Sequence, residues 1–315
     1  MYTRDEIKVF YGNSNPWLAK KICHYLNIEE GKAFFSRFKD GEIKIKIEEN
    51  VRGVDVFFVQ PTQPPSDNLL ELLLFLDAAR RSSASRITAV IPYYGYARQD
   101  RKDEPRVPIS SKLIADMIEV AGASRVLTLD LHAEQIQGFF KIPVDHLYAT
   151  PVFVSYLQNT EDLSNTVVVS PDPGRANRAR AFAKRLGGLP IAIIDKRRDR
   201  PNEAVAVNVV GDVKGKNCII FDDIIDTGGT IIEATRALMD NNAAKVIAVA
   251  THGVLSADAV ERLHSSMVES ILITDSLPVN KKKLTEKFKI LSVAELLGEA
   301  IRRIHNAESV SALFI

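Results

Sequence analysis

Residues Cys218 to Ile232 read C-I-I-F-D-D-I-I-D-T-G-G-T-I-I. Cys218, Ile219, Ile220 and Phe221 are continuously apolar, as in a strand covered on both faces. Asp222 and Asp223 are expected to stop that strand. Asp226, Thr227, Gly228, Gly229 and Thr230 follow, and a helix opens behind them. Glycine lets the backbone curl until its N–H groups converge, and a helix N-terminus adds partial positive charge. Together they make an anion cradle suited to phosphate. Three acids beside such a cradle repel a bare anion. They make sense if they hold ribose hydroxyls or a divalent cation, which suggests a sugar phosphate bound with metal. Solvated acids at an ordinary strand–turn–helix are the plainer alternative, and the T-G-G-T continuation weighs against it. No G-K-[ST] is present, so this is not a Walker loop.

The same alternation runs through the chain. Strands are expected at Ile7 to Tyr11, Ile43 to Ile47, Val54 to Val59, Arg86 to Pro92 and Val126 to Leu129. Asn15 and Pro16 read as N-cap and first residue of a helix to about Asn27. Ser66 is expected to cap a helix through Arg80, and Ser110 to open another. The pattern then restarts: strands at Val167 to Val169, Ile191 to Ile194, Ala204 to Val209, from Cys218, Val246 to Ala250 and Ile271 to Thr274. Helices are expected from about Gly174 to Leu186, to about Met239, from near Ser256, and from Ser292 to about His305. Strands alternating with helices of about ten residues mean parallel βαβ units. The chain therefore reads as α/β, with two doubly wound parallel-sheet domains over residues 1–147 and 148–315. The last few residues are expected to return to the first domain.

A length of 315 residues suits one large or two medium domains, and an apolar share of 46% supplies the cores. With 41 Lys+Arg against 40 Asp+Glu there is no general footprint for nucleic acid or for an acidic membrane. Cys23 and Cys218 both fall in apolar patterns and read as core thiols in a reducing compartment. No signal region or apolar span is evident, so a soluble, cytoplasmic protein is expected.

Ligands of open α/β sheets bind beyond the carboxyl ends of strands, and polar residues gather there. After Pro92 comes Y-Y-G-Y-A-R-Q-D-R-K-D-E-P-R, in which Tyr93, Tyr94 and Tyr96 could line a pocket and Arg98 could meet phosphate. After Leu129, Asp130 and His132 suit a metal site or an acid–base pair. After Val169 comes S-P-D-P-G-R, with Asp172. After Ile194 comes D-K-R-R-D-R, where Lys196 and Arg198 sit in an anion trap. Cations to neutralise oxygens, a metal to bridge phosphates and little covalent chemistry are the equipment of phosphoryl transfer.

With these motifs together, the chain resembles the class I ribose-phosphate pyrophosphokinases. The D-D-I-I-D-T-G-G-T loop is similar to the phosphoribosyl pyrophosphate loop of type I phosphoribosyltransferases, which implies that fold for both domains. I-P-Y-Y-G-Y-A-R-Q-D-R-K, L-D-L-H-A-E-Q-I-Q-G-F-F, I-I-D-K-R-R and R-F-K-D-G-E complete the likeness. The resemblance implies transfer of the β,γ-diphosphoryl group of MgATP to the C1 hydroxyl of ribose 5-phosphate, giving phosphoribosyl pyrophosphate and AMP. It implies that Phe38, Asp40, Gly41, Glu42, Arg98 and Gln99 bind ATP, with Phe38 stacked on adenine and the Asp40 segment serving a neighbouring subunit. Asp226, Thr227, Gly228, Gly229 and Thr230 would hold the 5-phosphate, Asp222 and Asp223 would take the ribose hydroxyls, in part through Mg²⁺, and Arg198 would also bind the sugar phosphate. His132, Asp172 and Asp130 would mark a Mg²⁺ site. Lys196 and Arg198 would be catalytic. A homo-oligomer, usually hexameric, is implied, with phosphate and ADP as regulators near Arg52, Ser309, Ser311 and Phe314.

Three positions depart from the family pattern. Lys141 stands where Asp is usual after G-F-F, Arg175 replaces a Gly after Asp172, and Ala312 replaces an aromatic residue in S-V-S-A-L-F. Two other readings are a phosphoribosyltransferase, which needs the Asp222 loop but no ATP site, and a non-catalytic regulatory homologue. The Arg98 and Lys196 loops argue against the first. Retention of His132, Lys196 and Arg198 argues against the second.

Overall fold

A computed structural model describes residues 6–197 and 206–314, with the side chains of Lys196, Arg197, Ala206, Val207 and Phe314 outside the described residues. The chain divides into two compact units. One comprises Met1–Ala149, Ser276–Pro278 and Ser292–Ile315, the other Thr150–Asp275 and Val279–Leu291.

The first unit contains β1 (Ile7–Tyr11), α1 (Pro16–Leu26), β2 (Ala33–Arg37), β3 (Ile43–Ile47), β4 (Asp55–Val59), α2 (Asp67–Arg81), β5 (Arg86–Ile91), α3 (Ser110–Ala121), β6 (Arg125–Leu129) and β7 (Val144–Leu147). The second contains α4 (Thr150–Thr160), β8 (Thr166–Ser170), α5 (Ala176–Arg185), β9 (Ile191–Arg197), β10 (Ala206–Val210), β11 (Asn217–Ile225), α6 (Gly229–Asp240), β12 (Lys245–Gly253), α7 (Ala259–His264), β13 (Ser270–Thr274) and β14 (Phe288–Leu291). The last helix, α8 (Ala294–His305), belongs to the first unit.

The first sheet is parallel in the order β1-β4-β5-β6-β7. An order that advances in one direction puts right-handed crossovers on one face. There α2 and α3 cover a core in which Phe58 and Phe75 stack at 4.0 Å between centroids, with Phe10 and Phe35 beside them. The β2–β3 hairpin completes this side. Val9, Phe57, Val59 and Leu127 are buried too, and α1 and α8 are the remaining helices of the unit. A Cβ on Gly298 of α8 would lie 2.5 Å from the Tyr25 ring of α1, so glycine permits their close packing. Asn15 caps α1, its side chain accepting from Leu18 N at 3.4 Å, and Pro16 is the first helical residue, as the sequence predicts.

The second sheet runs β10-β9-β8-β11-β12-β13-β14, parallel except for the antiparallel β9–β10 edge. Its direction reverses between β8 and β11, which is the topological switch point of a doubly wound sheet. Its core includes Val169, Ile194, Ile220, Ala248 and Ile273, and Phe182 stacks on Phe221 at 4.1 Å. The fold class expected from the sequence is the one observed.

Several local expectations change. Ser66 precedes α2 but already has helical torsions, φ −58° and ψ −17°, and makes no side-chain cap bond. Ser110 opens α3 as expected, with Ile109 at the position before it. β2, β7, β14 and α4 were not anticipated. The first three are four- or five-residue strands, and α4 is rich in β-branched residues that blur the helix signal. Both cysteines are buried, and burial pushes the Cys23 thiol up to about 11 and the Cys218 thiol up to about 12.

Candidate functional site

The switch point of the second sheet brings together the loops after β8 and β11. Contrary to expectation, β11 does not stop at Asp222. It continues through Asp222 and Asp223 to Ile225, because β12 extends alongside it to Gly253 and keeps its ladder paired. Both acids are buried, Asp222 at 8% exposure and Asp223 at 3%. Adjacent carboxylates at that depth need counter-charge, and Arg175 supplies it. Its Nη1 lies 2.5 Å from Asp222 Oδ1 and also donates to Asp223 Oδ1, while its Nε is 3.3 Å from Asp172 Oδ2. Asp172 in turn caps the short turn that precedes α5, accepting from Arg175 N at 3.0 Å.

Beyond β11 the chain turns at Gly228, whose φ of +76° is left-handed. A Cβ there would lie 2.9 Å from Leu263 Cγ, so glycine is required twice over. Gly228 sits at the N-cap of α6 and no side chain caps that helix. The first-turn N–H groups beside Gly229 and Thr230 are thus left for an anion. Ser256 donates to the Asp226 carboxylate, and its N–H donates to Asp226 O at 3.1 Å. Arg262 of α7 donates to Thr227 O at 3.2 Å. Sequence reading missed Arg262 and Ser256, since α7 is six residues long and carries no motif.

In the first unit a cleft of about 540 Å³ gathers Arg98, Gln99, Asp100, Arg101, His132 and Gln135. It unites the loops after β5 and β6, so Arg98, Gln99 and His132 do meet. Ser111 pins the first loop at both ends. Its N–H and hydroxyl donate to Gln99 O, at 3.2 and 3.0 Å, and its carbonyl accepts from Tyr94 Oη at 2.8 Å. Tyr93 and Tyr94 are buried supports and not pocket walls. Burial pushes the Tyr94 phenol well above its usual range. Asp130, at φ +40°, accepts from Ala149 N at 2.8 Å, and Leu131 N donates to His146 Nε2 at 2.8 Å. Together these bonds shape the turn that presents His132.

Gly95 carries a direct test of this cleft. A Cβ there would stand 2.2 Å from Thr62 O, a backbone atom that cannot swing away. Gly95→Ala is expected to cost about 1–3 kcal/mol of stability and to displace the Arg98 loop. Thermal melts check the first, and altered protease sensitivity of that loop checks the second.

Phe38, Asp40, Gly41 and Glu42 form the exposed tip of the β2–β3 hairpin and do not line this cleft. The Asp40 carboxylate accepts from Glu42 N at 3.1 Å, Gly41 has φ +99°, and Lys44 Nζ lies 5.4 Å from the Phe38 ring centroid. Arg52 Nη1 donates to Ser83 Oγ at 3.1 Å, next to a second cleft of about 580 Å³ lined by Gly53, Asp55, Arg86 and His305. Ser309 O accepts from Arg303 at 2.9 Å, and Ser311 N donates to Ser309 Oγ at 3.2 Å. The side chains of Lys196 and Phe314, and all of Arg198, lie outside the described residues. Lys196 itself is in β9, opposite Val207 of β10.

Residues 7–122 match the family model described as the N-terminal domain of ribose phosphate pyrophosphokinase, and residues 197–315 match the phosphoribosyl synthetase-associated domain. A ribose-phosphate pyrophosphokinase of Rhizobium meliloti is 57% identical over 310 residues, covering 98% of this chain and 100% of the relative. The chain belongs to the ribose-phosphate pyrophosphokinase family. It is thus an enzyme of the transferase class. The family member of Thermotoga maritima is 54% identical over 313 residues, covering 98% of each chain. The crystal structure of phosphoribosylpyrophosphate synthetase from Mycobacterium smegmatis superposes with a TM-score of 0.91 at 42% identity, covering 96% of this chain and 100% of that one.

Proposed function

We propose that this enzyme transfers the β,γ-diphosphoryl group of MgATP to the C1 hydroxyl of ribose 5-phosphate, releasing phosphoribosyl pyrophosphate and AMP. One observation carries the sugar-phosphate side: an uncapped helix N-terminus, opened by left-handed Gly228, stands directly after two buried acids at a switch point. The 5-phosphate is held by Asp226 to Thr230. Asp222 and Asp223 accept from the ribose hydroxyls. Arg98 and Gln99 hold the nucleotide phosphates in the cleft they share with His132. Phe38 supplies an exposed ring for adenine, with Asp40, Gly41 and Glu42 around it. Lys196 and Arg198 neutralise the transferring group, the first as a mobile point charge and the second as a fork.

Mg²⁺ fits the donor chemistry. Asp172 offers a carboxylate of the kind a hard cation takes, while the guanidinium of Arg175 already rests against Asp222 and Asp223. On the first unit, His132 offers a nitrogen, two residues after Asp130. Among the described residues no group of three or more His, Cys, Asp or Glu is arranged to hold a metal ion, and Mg²⁺ commonly keeps waters and substrate phosphates as ligands. When bound, it withdraws charge from the phosphate oxygens.

The reading includes a cytoplasmic homo-oligomer, a hexamer, acting without nucleic acid or membrane. Among the described residues no helix is long and apolar enough to cross a membrane. Phosphate and ADP act as regulators through Arg52, Ser309, Ser311 and Phe314, and the cleft beside Arg52 supports this. The phosphoribosyltransferase alternative leaves the Arg98–His132 cleft without a purpose.

Incubation with ATP, Mg²⁺ and ribose 5-phosphate should yield AMP and phosphoribosyl pyrophosphate in equal amounts. Absence of AMP above background would refute the reaction. Asp226→Ala is expected to weaken ribose 5-phosphate binding roughly tenfold or more, by loss of a charged hydrogen-bond partner. It should leave MgATP affinity nearly intact. Equal weakening of both ligands would show that the loop is wrongly assigned.

A further inference from the structure

Arg175 occupies a position where the family pattern has glycine, and its guanidinium touches each of the three acids around the switch point. The contacts are built from both ends of the residue. Its N–H is held by Asp172 Oδ1 at 3.0 Å, inside the short turn before α5, and its Nη1 reaches Asp222 and Asp223 at the end of β11. The side chain is only 20% exposed. A planar guanidinium suits carboxylates better than a mobile ammonium does.

The carboxylate pair has two possible cationic partners, and they exclude each other. Asp222 Oδ1 already accepts from Asp223 N at 2.8 Å as well as from Arg175. A divalent ion needs the same lone pairs, and it repels a guanidinium at contact distance. A cation arriving alone must therefore displace a part-buried arginine whose backbone is tied in place. A neutral diol needs no such displacement. Its hydroxyls carry no charge for the guanidinium to repel, and they can accept from it.

We propose that Arg175 is the resident counter-ion of the Asp222–Asp223 pair and excludes free divalent cations from it. A cation required by the reaction would then be held elsewhere than on this pair. The proposal rests on the reading of Asp222 and Asp223 as the ribose side of the site. Arg175 is a positioning residue that sets which ligand the acids accept.

The test uses the full chain without nucleotide or sugar phosphate, titrated with Mn²⁺ and read by the electron paramagnetic resonance of the free ion. Arg175→Gln should bind Mn²⁺ roughly tenfold or more tightly than the wild type, because one contact positive charge is gone. Its melting temperature should rise with Mn²⁺ by mass action where that of the wild type does not. Arg175→Lys should resemble the wild type. Adding Asp223→Asn to Arg175→Gln should erase the gain. In the wild-type background, Asp223→Asn alone should leave Mn²⁺ binding unchanged, which keeps the test decisive even if Arg175→Gln does not fold. Mn²⁺ affinity equal in Arg175→Gln and wild type would overturn the proposal. So would a gain that survives Asp223→Asn, or a wild-type site that Asp223→Asn weakens. With both substrates absent, any of these results is separate from AMP formation by the wild type, which tests the reaction.

Discussion

Lys196→Ala should reduce kcat by roughly two to three orders of magnitude, the usual scale for removing one group that stabilises developing charge, with little change in the KM for ribose 5-phosphate. The residue lies in I-I-D-K-R-R near the end of β9, where the antiparallel β10 closes the sheet edge. A strand backbone fixes where the side chain starts, and the flexible stem lets the ammonium follow charge as it moves between phosphate oxygens. Interactions made only in the transition state alter kcat, whereas uniform binding alters KM. Steady-state kinetics with ribose 5-phosphate varied at saturating MgATP separates the two. A large rise in KM at unchanged kcat would make Lys196 a binding residue instead.

The second large effect is expected at Gly228. Gly228→Ala places a Cβ on a backbone at φ +76° and within 2.9 Å of Leu263 Cγ, a fully buried side chain. A left-handed non-glycine residue costs about 1–3 kcal/mol before any clash is counted. The loop cannot relax freely, because Arg262 holds Thr227 O and Ser256 holds Asp226, the two residues just before it. The N–H groups of the cradle should therefore lose their convergence, and the KM for ribose 5-phosphate should rise by about a hundredfold. Gly229→Ala is the control. Its added Cβ meets nothing closer than 3.7 Å, at Thr227 Oγ1. It should melt within about 1 kcal/mol of the wild type, since glycine-to-alanine changes are mild in a helix. Parallel melts and ribose 5-phosphate titrations of the two variants check this. Equal behaviour would mean that loop shape does not govern sugar-phosphate binding.

Local periodicity made most elements legible. β1 and β3 fall where apolar runs or strict alternation place them, and Asn15-Pro16 opens α1 as its chemistry requires. The short strands escaped for the opposite reason. In β2, Phe34 is exposed and Phe35 joins the core, so only the partner strand β3 and the α2 face decide which aromatic turns inward. Tyr93 and Tyr94 looked like pocket walls because they follow a strand end. They are buried because Ser111, from a helix that begins seventeen residues after Tyr93, comes back to bond Tyr94.

What the sequence alone determined is chemistry that neighbours in the chain can specify: the glycine turn, the helix start behind it, the acids and basic loops at strand ends, and the α/β alternation. These depend on torsions and spacing over a few residues, so they survive without knowledge of the rest. The tertiary structure decided which of them meet. It extended β11 through Asp222 and Asp223, because β12 supplies hydrogen bonds and Arg175 supplies charge from another loop. It joined Arg98 to His132 across two strand ends, and it sent α8 back to pack on α1 of the first unit. Each of these turns on burial and charge compensation between segments far apart in the chain, and such compensation is settled only when the folded surfaces come into contact.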